Sequence, residues 1–307
     1  MDHAKKLGIP FHMGVAVSEY DSEKPSITLE NGKEITSDVV ICADGVRSKG
    51  RKAVLGYDVP SYHSGYAIYR GFVDGAEILK DPVTAKFGGR EKLSLFLAPD
   101  MHCIIGCLRQ GKFVNAVLTH KDDANIEEGW NQPGRKEDVL KLLEGWDPAV
   151  QGVWEKMQKI VDWKLIYRPC LDQWVSKSGR VVIIGDAAHP FLPSSIQGAS
   201  QAIEDGGAIA RCLAKVSKKS DIPVALNAFF EIRHDYVADA QSTGISQREA
   251  WHNAHDKESK DFKESFDIKK VSQSNYYLWA NDAEEVVDQQ WEEVSAKVRE
   301  RLANVAV

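Results

Sequence analysis

Asp186 and Asp44 each close a short apolar run, which is where a carboxylate at a strand's carboxyl end can accept hydrogen bonds from ligand hydroxyls. A charge-assisted bond of that kind contributes about 1.5–3 kcal/mol. Around Asp186 the chain reads Val181-Val182-Ile183-Ile184-Gly185-Asp186-Ala187-Ala188-His189-Pro190, then Pro193 and Gln197-Gly198-Ala199, and on to Glu204-Asp205-Gly206. Four β-branched residues suit a strand covered on both faces. Pro190 and Pro193 lock φ in the loop that follows. Gly198 then opens a helix whose apolar positions Ala199, Ala202, Ile203, Gly206, Ile209, Ala210 and Leu213 fall at helical spacing. The start of that helix carries unpaired N–H groups and partial positive charge, so it favours an anion.

The second run, Asp38-Val39-Val40-Ile41-Cys42-Ala43-Asp44-Gly45-Val46-Arg47-Ser48-Lys49-Gly50-Arg51, repeats the pattern of apolar strand and acidic turn. Gly45 permits a tight turn with positive φ. Ser48 and Arg51 follow at a spacing that returns a hydroxyl and a guanidinium to one pocket.

These two runs resemble the flavin-binding motifs of the FAD-dependent aromatic hydroxylases, with salicylate-hydroxylase-like members the best match. The Asp186 stretch is similar to their second flavin motif, and Asp44, Gly45, Ser48 and Arg51 fill their pattern Asp-Gly-x-x-Ser-x-x-Arg. The resemblance implies FAD as cofactor, bound by Gly185, Asp186, Pro193, Gln197, Gly198 and Ala199. It implies that Asp44, Gly45, Ser48 and Arg51 contact the cofactor and the route of the nicotinamide donor. Asp186 would hold the ribityl chain, and the N–H groups of Gly198 and Ala199 would stabilise negative charge on the reduced flavin. The implied reaction is monooxygenation: NADPH or NADH supplies electrons, O2 supplies one oxygen atom, and a small aromatic or polyketide-like substrate receives it. Tyr69-Arg70 resembles the Tyr-Arg of the family's first substrate-domain strand, which makes Arg70 the catalytic candidate, pairing with a substrate oxyanion. A strand arginine in a surface ion pair is the competing reading.

Two departures stand against the family pattern. No Gly-x-Gly-x-x-Gly occurs, so the glycine-rich turn that binds the pyrophosphate is missing and the first βαβ unit with it. The expectation is that this chain binds FAD poorly. An inactive remnant that serves as a small-ligand or partner-binding module is the alternative function, and a flavin reductase or epoxidase the alternative enzyme. Gly106 and Cys107 stand where many relatives have Tyr and Pro, while Arg109, Gly111 and Asn115 agree with the family.

The elements that must position these residues indicate an α/β fold: an incomplete Rossmann-like FAD-binding domain, interrupted by an α+β substrate domain with an antiparallel sheet, and followed by a helical tail. The expected boundaries are 1–60 and 166–220 for the cofactor domain, 61–165 for the sheet domain and 221–307 for the tail. Ser26 to Glu30 alternates and Asn31-Gly32 predicts a type I′ hairpin turn leading into Lys33-Glu34-Ile35. Tyr66–Val73, Leu93–Leu97, Met101–Leu108 and Phe113–Leu118 read as strands. Asp122 to Gly134 reads as a polar loop, and Lys136 to Trp163 as helical in pieces broken at Asp147-Pro148. In the tail, Ala225, Phe229, Ile232 and Tyr236 form one helical stripe, charges crowd Arg248 to Lys270, and Asn275 to Val305 reads as helix. Its Trp and Tyr residues suit packing on the cofactor domain, or else a homodimer or partner surface.

A net charge of −6 over 307 residues offers no basic stripe for nucleic acid. No apolar run approaches a membrane span, and the polar start through Lys5 and Lys6 lacks a secretory pattern. Five scattered cysteines suit reduced thiols in a cytoplasmic protein. His102, Cys103 and Cys107 lack the second paired set a metal site needs, so no metal is expected.

Overall fold

The computed structural model describes residues 1–123, 129, 132–252 and 276–305. The strands, in chain order, are β1 (Val17–Asp21), β2 (Ser26–Leu29), β3 (Glu34–Thr36), β4 (Val40–Cys42), β5 (Tyr62–Asp74), β6 (Lys92–Ala98), β7 (Met101–Leu108), β8 (Phe113–Lys121), β9 (Gln132–Pro133), β10 (Ile160–Tyr167) and β11 (Val181–Ile183). The helices are α1 (Asp2–Lys6), α2 (Gly50–Leu55), α3 (Gly75–Leu79), α4 (Lys136–Leu142), α5 (Pro148–Glu155), α6 (Gly198–Ala214), α7 (Ile222–His252), α8 (Tyr276–Trp279) and α9 (Ala283–Val305). They fall into two compact units. One holds Met1–Pro60, Arg168–Ser242 and Ala280–Val307; the other holds Ser61–Tyr167 and Thr243–Trp279. The stretch after residue 220 is therefore shared between the units.

In the first unit β4 and β11 run parallel, with Val181 opposite Val40 and Ile183 opposite Cys42. Val181, Val182 and Ile183 are all fully buried, as a strand covered on both faces requires. Each such burial stabilises the fold by about 1.5–3 kcal/mol. Trp174, Leu226, Phe229, Val287 and Val298 complete this core. On α7 the predicted stripe is in place, with Ala225, Phe229 and Ile232 buried and Tyr236 half-buried.

Two local expectations change. The β2–β3 hairpin exists, but Leu29 N donates to the Lys33 carbonyl (2.9 Å) and Gly32 N to the Leu29 carbonyl (2.8 Å). Within that turn only Gly32 has positive φ, 82°. This is a three-residue loop with a bulge glycine, not the two-residue type I′ turn, which needs positive φ at both central residues. On α6 the buried positions are Gln201, Asp205, Ala208, Ile209 and Cys212. Ile203, part of the predicted apolar stripe, is 76% exposed. Buried polar partners rotate the helix away from its apolar pattern, as the site geometry below explains.

The second unit is built on a six-stranded sheet ordered β6-β7-β8-β5-β10-β9, antiparallel at every pairing. Tyr69, Val73, Cys103, Ile105, Val114, Ala116 and Leu118 pack with Val139, Val150, Val153, Trp154 and Met157 from the helices and their flanks. The predicted break at Asp147-Pro148 is the start of α5. Asp147 accepts from Ala149 N at 2.8 Å and Pro148 takes the first turn. Beyond it the helical expectation fails, because Ile160 to Tyr167 pairs with β5 as β10. The alternating Ile-Val-Asp-Trp-Lys-Leu pattern there belongs to a strand.

Successive strand residues His102 and Cys103 point to opposite faces and cannot share a metal. Among the described residues, no helix is long and apolar enough to cross a membrane. The polar loop expected around Asp122 to Gly134 lies partly outside the described residues, as does most of the charged stretch Arg248 to Lys270.

Candidate functional site

A cavity of about 570 Å³ in the first unit is lined from both acidic runs: Ala43 and Gly45 from one, Ile184 to Asp186 and Phe191 to Ala202 in part from the other. Gly185 holds φ at +57°, and a Cβ there would lie 3.0 Å from the Ala202 Cβ. The turn into Asp186 thus needs glycine for its backbone and for the close approach of α6. Gly198 opens α6 directly beside Asp186. A Cβ on Gly198 would stand 3.3 Å from Phe191 Cβ and 3.9 Å from Asp186 Oδ1, so its absence keeps the floor between carboxylate and helix start open. Pro193 and Ala199 line the same cavity. Gln197 does not. It is buried behind the wall, where its N–H donates to Ser195 Oγ (3.2 Å).

The second motif builds this wall more than it faces it. Gly45, at φ +79°, lines the cavity. Asp44 accepts from the N–H groups of Lys49 (2.8 Å) and Gly50 (3.1 Å). Ser48 Oγ accepts from Arg51 N (2.9 Å). Arg51, only 4% exposed, joins the two runs. Its Nε donates to the Ala187 carbonyl (2.9 Å), one Nη to the Asp186 carbonyl (3.1 Å), and both Nη to the Val46 carbonyl (3.2 Å). Arg168 donates to the same Val46 carbonyl at 2.9 Å. Burial, then the neighbouring Arg168 charge, pulls the Arg51 guanidinium down to about 10, against the pull of Asp44 and Asp186.

Behind the Asp186 turn lies a polar network that spacing alone did not reveal. His189 Nε2 donates to Asp205 Oδ2 (2.7 Å), and Gly185 N donates to the same oxygen (2.9 Å). Arg233 from α7 reaches Asp205 Oδ1 (3.1 Å), Glu204 Oε2 (2.8 Å) and Gln201 Oε1 (2.6 Å). His189 and Asp205 are fully buried and Arg233 nearly so. Burial lifts the Asp205 carboxyl, but the bond and charge of His189 and then the charge of Arg233 outweigh it, leaving the group below its usual range. This network explains why α6 buries Gln201 and Asp205 in place of Ile203. At Asp186 burial wins over the charges of His189 and Arg51, and the carboxyl is raised.

Ile196 was not anticipated as a site residue. It lines the cavity with φ +55°, a left-handed conformation that a β-branched residue adopts only under strain. Arg70 lies in the second unit, exposed on β5. Its Nε donates to Asn115 Oδ1 (3.2 Å) and its guanidinium sits 4.9 Å from the Phe72 ring centre. Among the described residues its partners are thus an amide and a ring.

The family model described as an FAD binding domain matches residues 1–243. FAD-dependent monooxygenase fmqB of Aspergillus fumigatus is 37% identical over 73% of this chain and 56% of its own length. FAD-dependent monooxygenase nodY2 of Hypoxylon pulicicidum is 34% identical over 76% and 52%. The chain thus spans about half the length of these curated relatives. Among solved structures, CtdE in complex with FAD and a substrate superposes with TM-score 0.86 at 27% identity, covering 97% of this chain and 73% of that one. A salicylate hydroxylase substrate complex shares the fold, with TM-score 0.76 at 23% identity over 96% of this chain and 74% of its own. A family model that matches most of the chain, together with relatives above 30% identity, shows that the chain belongs to the FAD-binding-domain family.

Proposed function

We propose that the protein to which this chain belongs is an FAD-dependent monooxygenase that hydroxylates a small aromatic or polyketide-like substrate with NADPH or NADH and O2. The observation that carries the proposal is the convergence of both acidic runs on one cavity, tied together by Arg51. The residues present fit the cofactor. Asp186 offers an acceptor for ligand hydroxyls beside the open floor at Gly198. The first N–H groups of α6, at Gly198 and Ala199, present the positive end of a 17-residue helix to the cavity. When bound there, FAD supplies the redox chemistry that links the nicotinamide donor to O2.

Within the chain, Asp186 orients through its carboxylate and α6 stabilises negative charge at its N-terminus. Gly45, Pro193 and the apolar walls at Ile184, Phe191 and Leu192 shape the cavity and exclude water. Asp44, Ser48 and Arg51 hold their turn, and Gln197 braces the loop before α6 through Ser195 Oγ. Arg70, free of a carboxylate partner among the described residues, pairs with the substrate oxyanion. Exposed Tyr276 and Trp279 would furnish a homodimer contact, and the five free thiols suit a reducing, cytoplasmic setting. The remnant reading rests on the missing glycine-rich turn, and relatives named as FAD-dependent monooxygenases weigh against it.

The test supplies the protein with FAD, NADPH or NADH, an electron-rich aromatic panel and isotopically labelled O2. One labelled oxygen atom in a hydroxylated product supports the proposal; nicotinamide oxidation with no label in any product refutes it. An elution mass equal to one chain would discard the homodimer.

A further inference from the structure

We propose that the second unit holds a binding site for a small primary ammonium compound, seated between His120 and Asp162. A cavity of about 650 Å³ is lined by Tyr69, His120 and Asp162, with Pro133 and Leu142 as apolar walls. Asp162 on β10 lies in register with Tyr69 on β5. The Tyr69 ring stacks on the His120 imidazole with centres 4.4 Å apart and planes 13° from parallel. His120 and Asp162 are 7% and 6% exposed.

The tautomer of His120 decides what this site accepts. Its Nδ1 lies 2.7 Å from the Lys121 carbonyl oxygen, which can only accept, so Nδ1 carries the hydrogen. In the neutral ring Nε2 is then a bare acceptor. It stands 3.6 Å from Asp162 Oδ1, beyond hydrogen-bond reach, though within ion-pair distance were the ring protonated. Neither atom has a hydrogen-bond partner among the described residues. Two buried acceptors aimed at one cavity are rare in folded proteins.

A group with at least two hydrogens satisfies both, and positive charge suits the carboxylate. A primary ammonium meets both demands; an alkyl hydroxyl has one hydrogen and meets half. Asp122, Asp123 and Asp138 line the walls with Lys121, Arg135 and Lys141; Asp122 is met by His63 (3.1 Å) and Lys164 (3.7 Å), and Asp138 by Arg135 (3.8 Å). Of these, Lys121 is engaged by Asp100 at 2.6 Å. The Tyr69, Pro133 and Leu142 surfaces accommodate an alkyl or aryl substituent. No group of three metal-ligating side chains occurs among the described residues, so the two acceptors are not part of such a cluster.

The experiment titrates the full 307-residue chain with n-butylammonium chloride, using calorimetry and imidazole nitrogen NMR, with n-butanol as the neutral control. We expect saturable binding, a shift of the His120 Nε2 resonance (assigned by its loss in His120→Gln), and no saturation by butanol. Asp162→Asn should weaken binding roughly tenfold to a hundredfold, the effect of removing one charge-assisted bond. An unmoved Nε2 resonance, equal binding of butanol, or unchanged affinity in Asp162→Asn overturns the site and leaves the acceptors to water. Should that variant fail to fold, the wild-type resonance and the butanol control still decide.

Discussion

At Asp186 stability and binding pull in opposite directions. Burial raises its carboxyl above the ordinary value of 3.8, and the positive charges of His189 and Arg51 only partly offset this. The folded chain then holds a proton more readily than the unfolded one, so ionising this group at neutral pH costs stability. We predict that Asp186→Asn raises the melting temperature of the ligand-free chain at neutral pH while weakening flavin affinity. As an acceptor the carboxylate acts only above its folded pKa. Flavin affinity in the native chain should therefore fall with decreasing pH at a higher value than an ordinary aspartate would give, a trend that Asp186→Asn abolishes. Asp205 has the opposite sign. Its folded pKa is lowered, so the stability it contributes is present above the ordinary value and is lost as pH falls through the lowered one. Asp205→Ala leaves Arg233 buried without this partner and should cost about 3–5 kcal/mol in denaturant unfolding.

Element geometry sets the next constraints. Gly185→Ala meets both a left-handed backbone and the Ala202 Cβ at 3.0 Å. The backbone penalty alone is about 1–2 kcal/mol, and a calorimetric loss of at least that size is expected. Conversely, Ile196→Gly relieves a strained residue and should stabilise by a similar amount. The strands at Val40–Cys42 and Val181–Ile183 were legible because continuous β-branched runs between turn residues have few other readings. The turns themselves were legible through Gly45 and Gly185, whose positive φ only glycine adopts readily. The face of α6 was not legible. Its apolar residues predicted a stripe through Ile203, but Arg233, far along the chain, makes Gln201 and Asp205 the buried side. The roles of Asp44 and Ser48 were likewise hidden, since motif spacing brings them near a ligand but cannot tell a turn cap from a contact. The start of β10, Ile160 to Trp163, reads as helix because its neighbours α4 and α5 are helical and no proline or glycine marks the change before it.

The molecule as a whole carries two cores, and the first depends on chain beyond the family match. That match ends at residue 243, yet Val287, Trp291 and Val298 of α9 belong to the same core as the cavity's strands. Arg211 of α6 and Lys215, just past its end, clamp Asp288 of α9 at 2.7 and 2.6 Å. Trp291→Ala should cost about 3–5 kcal/mol of unfolding free energy and lower the melting temperature of the first unit. The central claim is that both acidic runs form one flavin cavity, with Asp186 and the open floor at Gly198 as its working parts. Its most direct test is an FAD titration by fluorescence quenching of the wild-type chain, Asp186→Ala and Gly198→Val, each checked for folding by circular dichroism. The account predicts that both variants bind roughly tenfold to a hundredfold more weakly than wild type; superimposable isotherms for the three proteins would contradict it.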